Sequence, residues 1–126
     1  QARKPLWAEC GGMMVLFETL VDKAGQSHAM WGLLPGCVRM QSRLAGLGMQ
    51  QLSLLSGVLR GHTFHHSLAE TTAQVGLLTT RPGQDCPGPG SESVYIQGGL
   101  RASYFHAWMP SDLRATASLF LPGAIE

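Results

Sequence analysis

Apolar and polar positions follow two rhythms along this chain, and the change between them predicts its elements. Leu6-Trp7-Ala8-Glu9 is a short apolar run that ends at Cys10, with Gly11 and Gly12 directly behind it. Met13, Met14, Leu16, Phe17, Leu20 and Val21 then recur at helical spacing, so residues 11–22 read as a helix. Asp22-Lys23-Ala24-Gly25-Gln26 turns the chain with a glycine stop. Met30 to Gly36 is a short apolar segment closed by Pro35-Gly36, and residues 38–44 fit a strand or irregular backbone. Gly46-Leu47-Gly48-Met49 leads into a period of two at Leu52, Leu54 and Val58, the pattern of a β-hairpin.

Residues 74–80 read as a further strand. Residues 81–93 hold Pro82, Gly83, Pro87, Gly88, Pro89 and Gly90 and read as a flexible surface loop. Val94–Gln97 and Leu100–Phe105 form two strands around Gly98-Gly99. Pro110-Ser111-Asp112 opens a last helix with Leu113, Ala117 and Leu121 on one face, stopped by Pro122-Gly123. No internal repeat is visible. The order is strand, cysteine turn, helix, β-rich insertion, strands, helix. It predicts an α/β domain: an open sheet with helices on both faces, binding ligands beyond the carboxyl ends of its strands.

Composition narrows the classes. The 126 residues are 44% hydrophobic and 13% charged, which suits one globular domain or part of one. A net charge of +1 without Lys/Arg runs leaves no footprint for nucleic acid. No apolar stretch approaches the roughly 20 residues that span a bilayer, so no membrane partner is expected. Three cysteines without a CxxC pair argue against a disulfide framework or zinc ribbon and for a reducing, cytoplasmic setting. The chain opens at Gln1, and Ala2-Arg3-Lys4-Pro5 reads as a helix tail leading into the first strand. A parallel strand of the Leu6–Glu9 type wants neighbours on both sides, so a C-terminal portion of a larger protein is expected.

The chemistry concentrates at Cys10. A thiol on a sharp strand-to-helix turn is presented outward among backbone N–H groups, and a helix terminus lowers the cost of its thiolate. Those N–H groups can also stabilise an oxyanion, and glycines are expected at 11 and 12 because the turn is tight and a side chain would block a substrate. Buried cysteines are more often small hydrophobes than nucleophiles, so Cys10 needs a base. His106 supplies the candidate, because it ends the strand Ala102-Ser103-Tyr104-Phe105 on the same sheet rim. His28 reads as a solvated turn residue and Cys86 as an incidental loop thiol. Gly61-His62-Thr63-Phe64-His65-His66-Ser67 invites a zinc reading. Alternation, however, turns adjacent His65 and His66 to opposite faces, so no metal is assigned and a substrate-contacting polar strand is expected.

Five segments occur in register: Ala8-Glu9-Cys10-Gly11-Gly12-Met13-Met14, Met30-Trp31-Gly32-Leu33-Leu34-Pro35-Gly36, Arg39-Met40, Gly61 to Ser67, and Ala102-Ser103-Tyr104-Phe105-His106. Together they resemble the C-terminal part of the cobyrinate (hydrogenobyrinate) a,c-diamide synthases, cobalamin-pathway glutamine amidotransferases of the class I type. The resemblance implies one glutamine amidotransferase domain whose C-terminal part is residues 1–126, behind an ATP-binding synthetase domain. It implies that Cys10 attacks the glutamine side-chain amide, forms a glutamyl thioester and releases ammonia, with His106 as general base and acid. Gly11 and Gly12 would serve the oxyanion and glutamine, and Thr63 and His65 are candidate substrate contacts. No cofactor is implied within this chain; ATP and Mg²⁺ would belong to the N-terminal domain, as would the corrin substrate. A homodimer is among the assemblies the resemblance allows.

Three positions depart from the family pattern. Trp108 stands where many class I relatives place a carboxylate for the histidine, so the pair would act as a dyad unless Glu9 or another group helps. Thr63 stands where the family usually has Glu, and His66 where it commonly has Tyr. Two alternatives therefore stay open: an impaired amidotransferase-like structural or interaction domain, and a different cysteine amidase on the same fold. The second oxyanion donor is expected upstream. One such donor is worth roughly 10²–10³ in rate, so the 126-residue chain alone is expected to hydrolyse little glutamine.

Overall fold

The computed structural model describes residues 4–121. Its strands are β1 (Leu6–Glu9), β2 (Phe17–Val21), β3 (Ser27–Ala29), β4 (Leu34–Met40), β5 (Gly46–Leu54), β6 (Gly57–His65), β7 (Ser67–Glu70), β8 (Val75–Leu78), β9 (Ser93–Gln97), β10 (Leu100–Ser103) and β11 (Phe105–Ala107). The helices are α1 (Gly11–Met14) and α2 (Leu113–Ser118), with a 3₁₀ turn at Met109–Ser111. Among the described residues the strands form three sheets, ordered β1-β10-β9-β8, β11-β6-β5 and β3-β2-β4-β7. The architecture is mixed α/β, as expected, with strands dominating.

The hairpin expected from Gly46 onward is present but reaches further, to His65, and Val58 falls on its outward face. β5 and β6 pair antiparallel from Gly46↔His65 to Leu54↔Gly57. On β6, Leu59, Gly61, Thr63 and His65 point inward while Val58, Arg60, His62 and Phe64 point out. The strands around Gly98-Gly99 are likewise present as β9 and β10. Residues 81–92 carry no strand or helix, in keeping with a loop.

The helix expected over 11–22 is wrong beyond its first turn. α1 ends at Met14, and Phe17–Val21 is a strand instead. Thr19, Leu20 and Val21 pair in parallel with Cys37, Val38 and Arg39, and antiparallel with β3 on the other side. The apolar set does match a helical face. Branched and aromatic side chains with strand partners on both edges are nevertheless held better in a sheet, and tertiary pairing overrides the local period.

The last helix has the expected start and the opposite face. Asp112 caps α2 by accepting the N–H groups of Arg114 and Ala115, each at 3.0 Å. Its other oxygen accepts the N–H of Val58 at 3.2 Å, which fixes the helix against the start of β6. That register buries Ala115, Ser118 and Leu119 and leaves Leu113, Ala117 and Leu121 exposed. The helix tail expected before Leu6 and the stop at Pro122-Gly123 fall wholly or partly on residues 1–3 and 122–126, outside the described residues. No helix among the described residues is long and apolar enough to cross a membrane.

Two apolar clusters meet near the cysteine turn. One gathers Ala8, Met13, Leu16, Phe17, Leu34 and Val38 with Ala102 and Tyr104. The other gathers Leu52, Leu59, Val94, Phe105, Ala115 and Leu119. The chain crosses from one to the other through Ser103, Tyr104 and Phe105. The Ser103 hydroxyl donates to the Ser93 carbonyl at 2.8 Å and accepts the Phe105 N–H at 3.0 Å. That local bond breaks the strand at Tyr104 and sends β11 to a new partner, β6.

Candidate active site

Cys10 stands one residue past the end of β1, and its own N–H donates to the Ser103 carbonyl at 2.8 Å. The parallel pairing of Glu9 with Ser103 therefore continues into the turn. The backbone at Cys10 has φ 47° and ψ −110°, and it is the one non-glycine residue at positive φ among the described residues. A side chain in that region costs on the order of 1–3 kcal/mol and is held there only by its surroundings. This corrects one part of the expectation about the glycines, that the turn itself is too tight for a side chain. A Cβ at Gly11 or Gly12 would meet nothing within 4 Å, so neither is required by crowding. The strained residue is the cysteine, and the glycines leave the space beside it open.

The thiol is half-buried, and its Sγ lies 3.9 Å from the Phe64 carbonyl oxygen. Burial pushes it above its ordinary pKa; the Gly11 N–H pulls the other way, and the Glu92 and Glu9 carboxylates add to the rise. The expected help from a helix terminus is thus outweighed, since α1 is only 4 residues long and few peptide dipoles are aligned. The sign is testable: a neutral thiol is favoured, so reactivity needs higher pH or a base. Alkylation of Cys10 by iodoacetamide, followed by mass spectrometry against pH, should lag free cysteine at about pH 7 and reach its midpoint at higher pH. A lower midpoint would contradict the account.

His106 lies on β11, where it pairs with His62 of β6. The two imidazoles stack with centroids 4.9 Å apart and planes 7° from parallel. Cys10 thus touches β6 at Phe64, and His106 packs on it two residues away, a span of about 6.6 Å along a strand. The structure brings the two sequence-selected residues to one strand. Beside them sits a group the sequence left open: Glu9 Oε2 is 3.9 Å from His106 Nδ1. Trp108 is exposed.

Thr63 and His65 lie beneath this surface, at 1% and 6% exposure. The Thr63 hydroxyl donates to Glu92 Oε1 at 2.6 Å, and His65 Nε2 meets the same oxygen at 2.8 Å. His65 Nδ1 faces the Ser67 carbonyl at 2.8 Å, so both ring nitrogens are engaged within the fold. The ring stacks on Tyr104 at 3.7 Å, and the Tyr104 and Ser67 hydroxyls bond at 2.7 Å. Burial pushes the Tyr104 phenol well above its ordinary value. Ser67 in turn reaches Met14 Sδ on α1 at 3.6 Å, so the network supports the cysteine turn from below.

The side chains that β6 turns outward are His62 and Phe64, not Thr63 and His65. Glu92 was missed because it sits in a glycine- and proline-rich loop without periodicity. His62 was legible from alternation alone. A cavity of about 550 Å³ lies elsewhere, between the Ser53–Leu55 end of the hairpin and Gly76 and Leu77 of β8.

The fold and this corner define a mixed α/β protein that presents a strained cysteine at the carboxyl end of a parallel strand, with its thiol approaching the strand on which a histidine packs. The chain belongs to the CobB/CobQ-like glutamine amidotransferase domain family, whose model matches residues 1–113. It is 48% identical over 118 residues to a cobyrinate a,c-diamide synthase of Herminiimonas arsenicoxydans, covering 94% of this chain and 26% of that protein. It is 46% identical over 123 residues to a hydrogenobyrinate a,c-diamide synthase of Stutzerimonas stutzeri, covering 96% and 27%. A third relative, the hydrogenobyrinate a,c-diamide synthase of Pseudomonas aeruginosa, is 43% identical over 122 residues, again 96% and 27%. The chain spans about a quarter of the length of these relatives.

Proposed function

We propose that this chain is the C-terminal part of the glutaminase domain of an ATP-dependent, cytoplasmic amidase. The larger enzyme would convert the a and c carboxylates of cobyrinate or hydrogenobyrinate to amides. The observation that carries this reading is the strained Cys10, whose thiol approaches the same strand on which His106 packs, in a chain nearly half identical to such synthases. The remaining length would complete the open sheet with its covering helices and hold the synthetase domain.

In the proposed cycle His106 takes the thiol proton as Cys10 Sγ bonds to the glutamine side-chain carbonyl carbon. The Gly11 N–H, which favours negative charge beside the sulfur, serves the oxyanion. Collapse breaks the carbon–nitrogen bond, His106 returns the proton to the departing nitrogen, and ammonia leaves a glutamyl thioester. Water then attacks the thioester; His106 accepts its proton and passes it to the sulfur, so glutamate departs and the thiol is restored. Gly12 leaves room for the substrate, while Thr63 and His65, buried on Glu92, support the strand beneath it.

In this reading ATP and Mg²⁺ are held outside this chain. No glycine–lysine phosphate loop occurs in its sequence, and among the described residues no three His, Cys, Asp or Glu side chains converge to hold a metal. Both belong in this reading to the remainder of the enzyme. The test uses the full-length protein with ATP, Mg²⁺ and the corrin acid. Glutamine should support amidation with one glutamate formed per amide. Amidation by ammonium salts alone, with no glutamate released from glutamine, would overturn the reading in favour of an impaired domain.

A further inference from the structure

Histidine acts well as a base only when its ring is oriented by a third group. The residue that would do this two positions after His106 is Trp108, which has no acceptor for the imidazole proton and is exposed. A carboxylate reaches the ring from another direction. Glu9 immediately precedes the cysteine, and parallel pairing of β1 with β10 sets it opposite Ser103, three residues ahead of His106. Its Oε1 accepts two N–H groups, Trp7 Nε1 at 2.6 Å and Ala107 N at 3.0 Å. These donors come from the strands that carry Cys10 and His106, so the carboxylate ties the two together. With Oε1 fixed, Oε2 is left facing His106 Nδ1 at 3.9 Å, with both side chains about a third exposed or less. That is ion-pair rather than hydrogen-bond distance, and catalytic contacts that are long in a ligand-free site shorten when substrate closes it.

We infer that Glu9 is the positioning residue for His106, held by Trp7 and the Ala107 N–H so that its free oxygen orients the imidazole. The inference deepens the proposed glutaminase reading and rests on it. The third member of the set thus precedes the nucleophile in sequence instead of following the base. Trp7 acquires a role beyond packing, since its indole N–H fixes one carboxylate oxygen and thereby aims the other.

The test compares wild type, Glu9→Gln and Trp7→Phe in the full-length protein. The Glu9→Gln side chain keeps an oxygen for the Trp7 and Ala107 N–H groups but places an amide against His106. Glutamine hydrolysis should lose about 10- to 100-fold in kcat, with KM within about twofold and the melting temperature near wild type. In ¹⁵N spectra the His106 ring resonances should show the proton redistributed between Nδ1 and Nε2. Trp7→Phe should give a smaller loss, a few-fold, in kcat. An unchanged kcat and ring spectrum in Glu9→Gln would overturn the inference, as would a kcat loss that follows a fallen melting temperature with the ring spectrum intact. Wild type reports on the parent reading separately. If glutamine hydrolysis survives Cys10→Ser, the glutaminase reading fails; if it requires Cys10 but ignores Glu9→Gln, only the assignment of Glu9 fails.

Discussion

Cys10→Ser in the full-length protein is expected to lower glutamine-dependent amidation by roughly 10⁴- to 10⁶-fold, while amidation fed by ammonium survives. The size follows from chemistry. A serine hydroxyl is a far weaker nucleophile than a thiol, and burial already holds the Cys10 thiol toward its neutral, less reactive form. His106→Ala should cost a comparable amount, and the double variant little more than either alone, because nucleophile and base act as a unit. Parallel assays with glutamine and with ammonium read out the distinction. Loss of both activities together would mean that these residues hold the fold and do not perform the reaction.

The second large effect is structural. Gly61 lies on β6 opposite Ala107 of β11. A Cβ there would fall inside contact distance of the His106 carbonyl oxygen and the Phe105 ring. The oxygen belongs to the backbone, and Phe105 is fully buried, so neither can yield cheaply. Gly61→Val is expected to destabilise the domain by about 3 kcal/mol or more. It should also displace the three-residue strand that carries His106. Thermal unfolding monitored by circular dichroism checks the first effect, and glutamine hydrolysis checks the second. Gly11→Ala is the contrast, because a Cβ there meets nothing and the domain should melt as wild type. Equal melting temperatures for Gly61→Val and wild type would contradict the packing described here.

Much of this was legible in the sequence, for identifiable reasons. The hairpin declared itself because one face of β6 is buried and the other solvated, which forces strict alternation. The cysteine turn declared itself because a short apolar run, a thiol and paired glycines coincide. The helix expected over 11–22 failed because Thr19, Leu20 and Val21 find strand partners remote in sequence, which no local period reveals. The face of α2 failed because Asp112 bonds to Val58 as well as to its own helix, and that contact spans 54 positions.

At the site, Cys10 and His106 could be chosen from their motifs, but the supporting carboxylates could not. Glu92 comes from an aperiodic loop, yet it brings a buried carboxylate to Thr63 and His65. A carboxylate at that spot is what the family resemblance led one to expect from position 63 itself. Glu9 was visible beside the cysteine, though only the pairing of β1 with β10 shows that it faces His106.

The most direct measurement is covalent capture of the thiol by a diazoketone analogue of glutamine, followed by peptide mass spectrometry of the full-length protein. One adduct per chain on Cys10, prevented by excess glutamine and absent from Cys37 and Cys86, is the result expected of a glutamine-cleaving thiol. Failure to modify Cys10, or modification spread over all three cysteines regardless of glutamine, would contradict it.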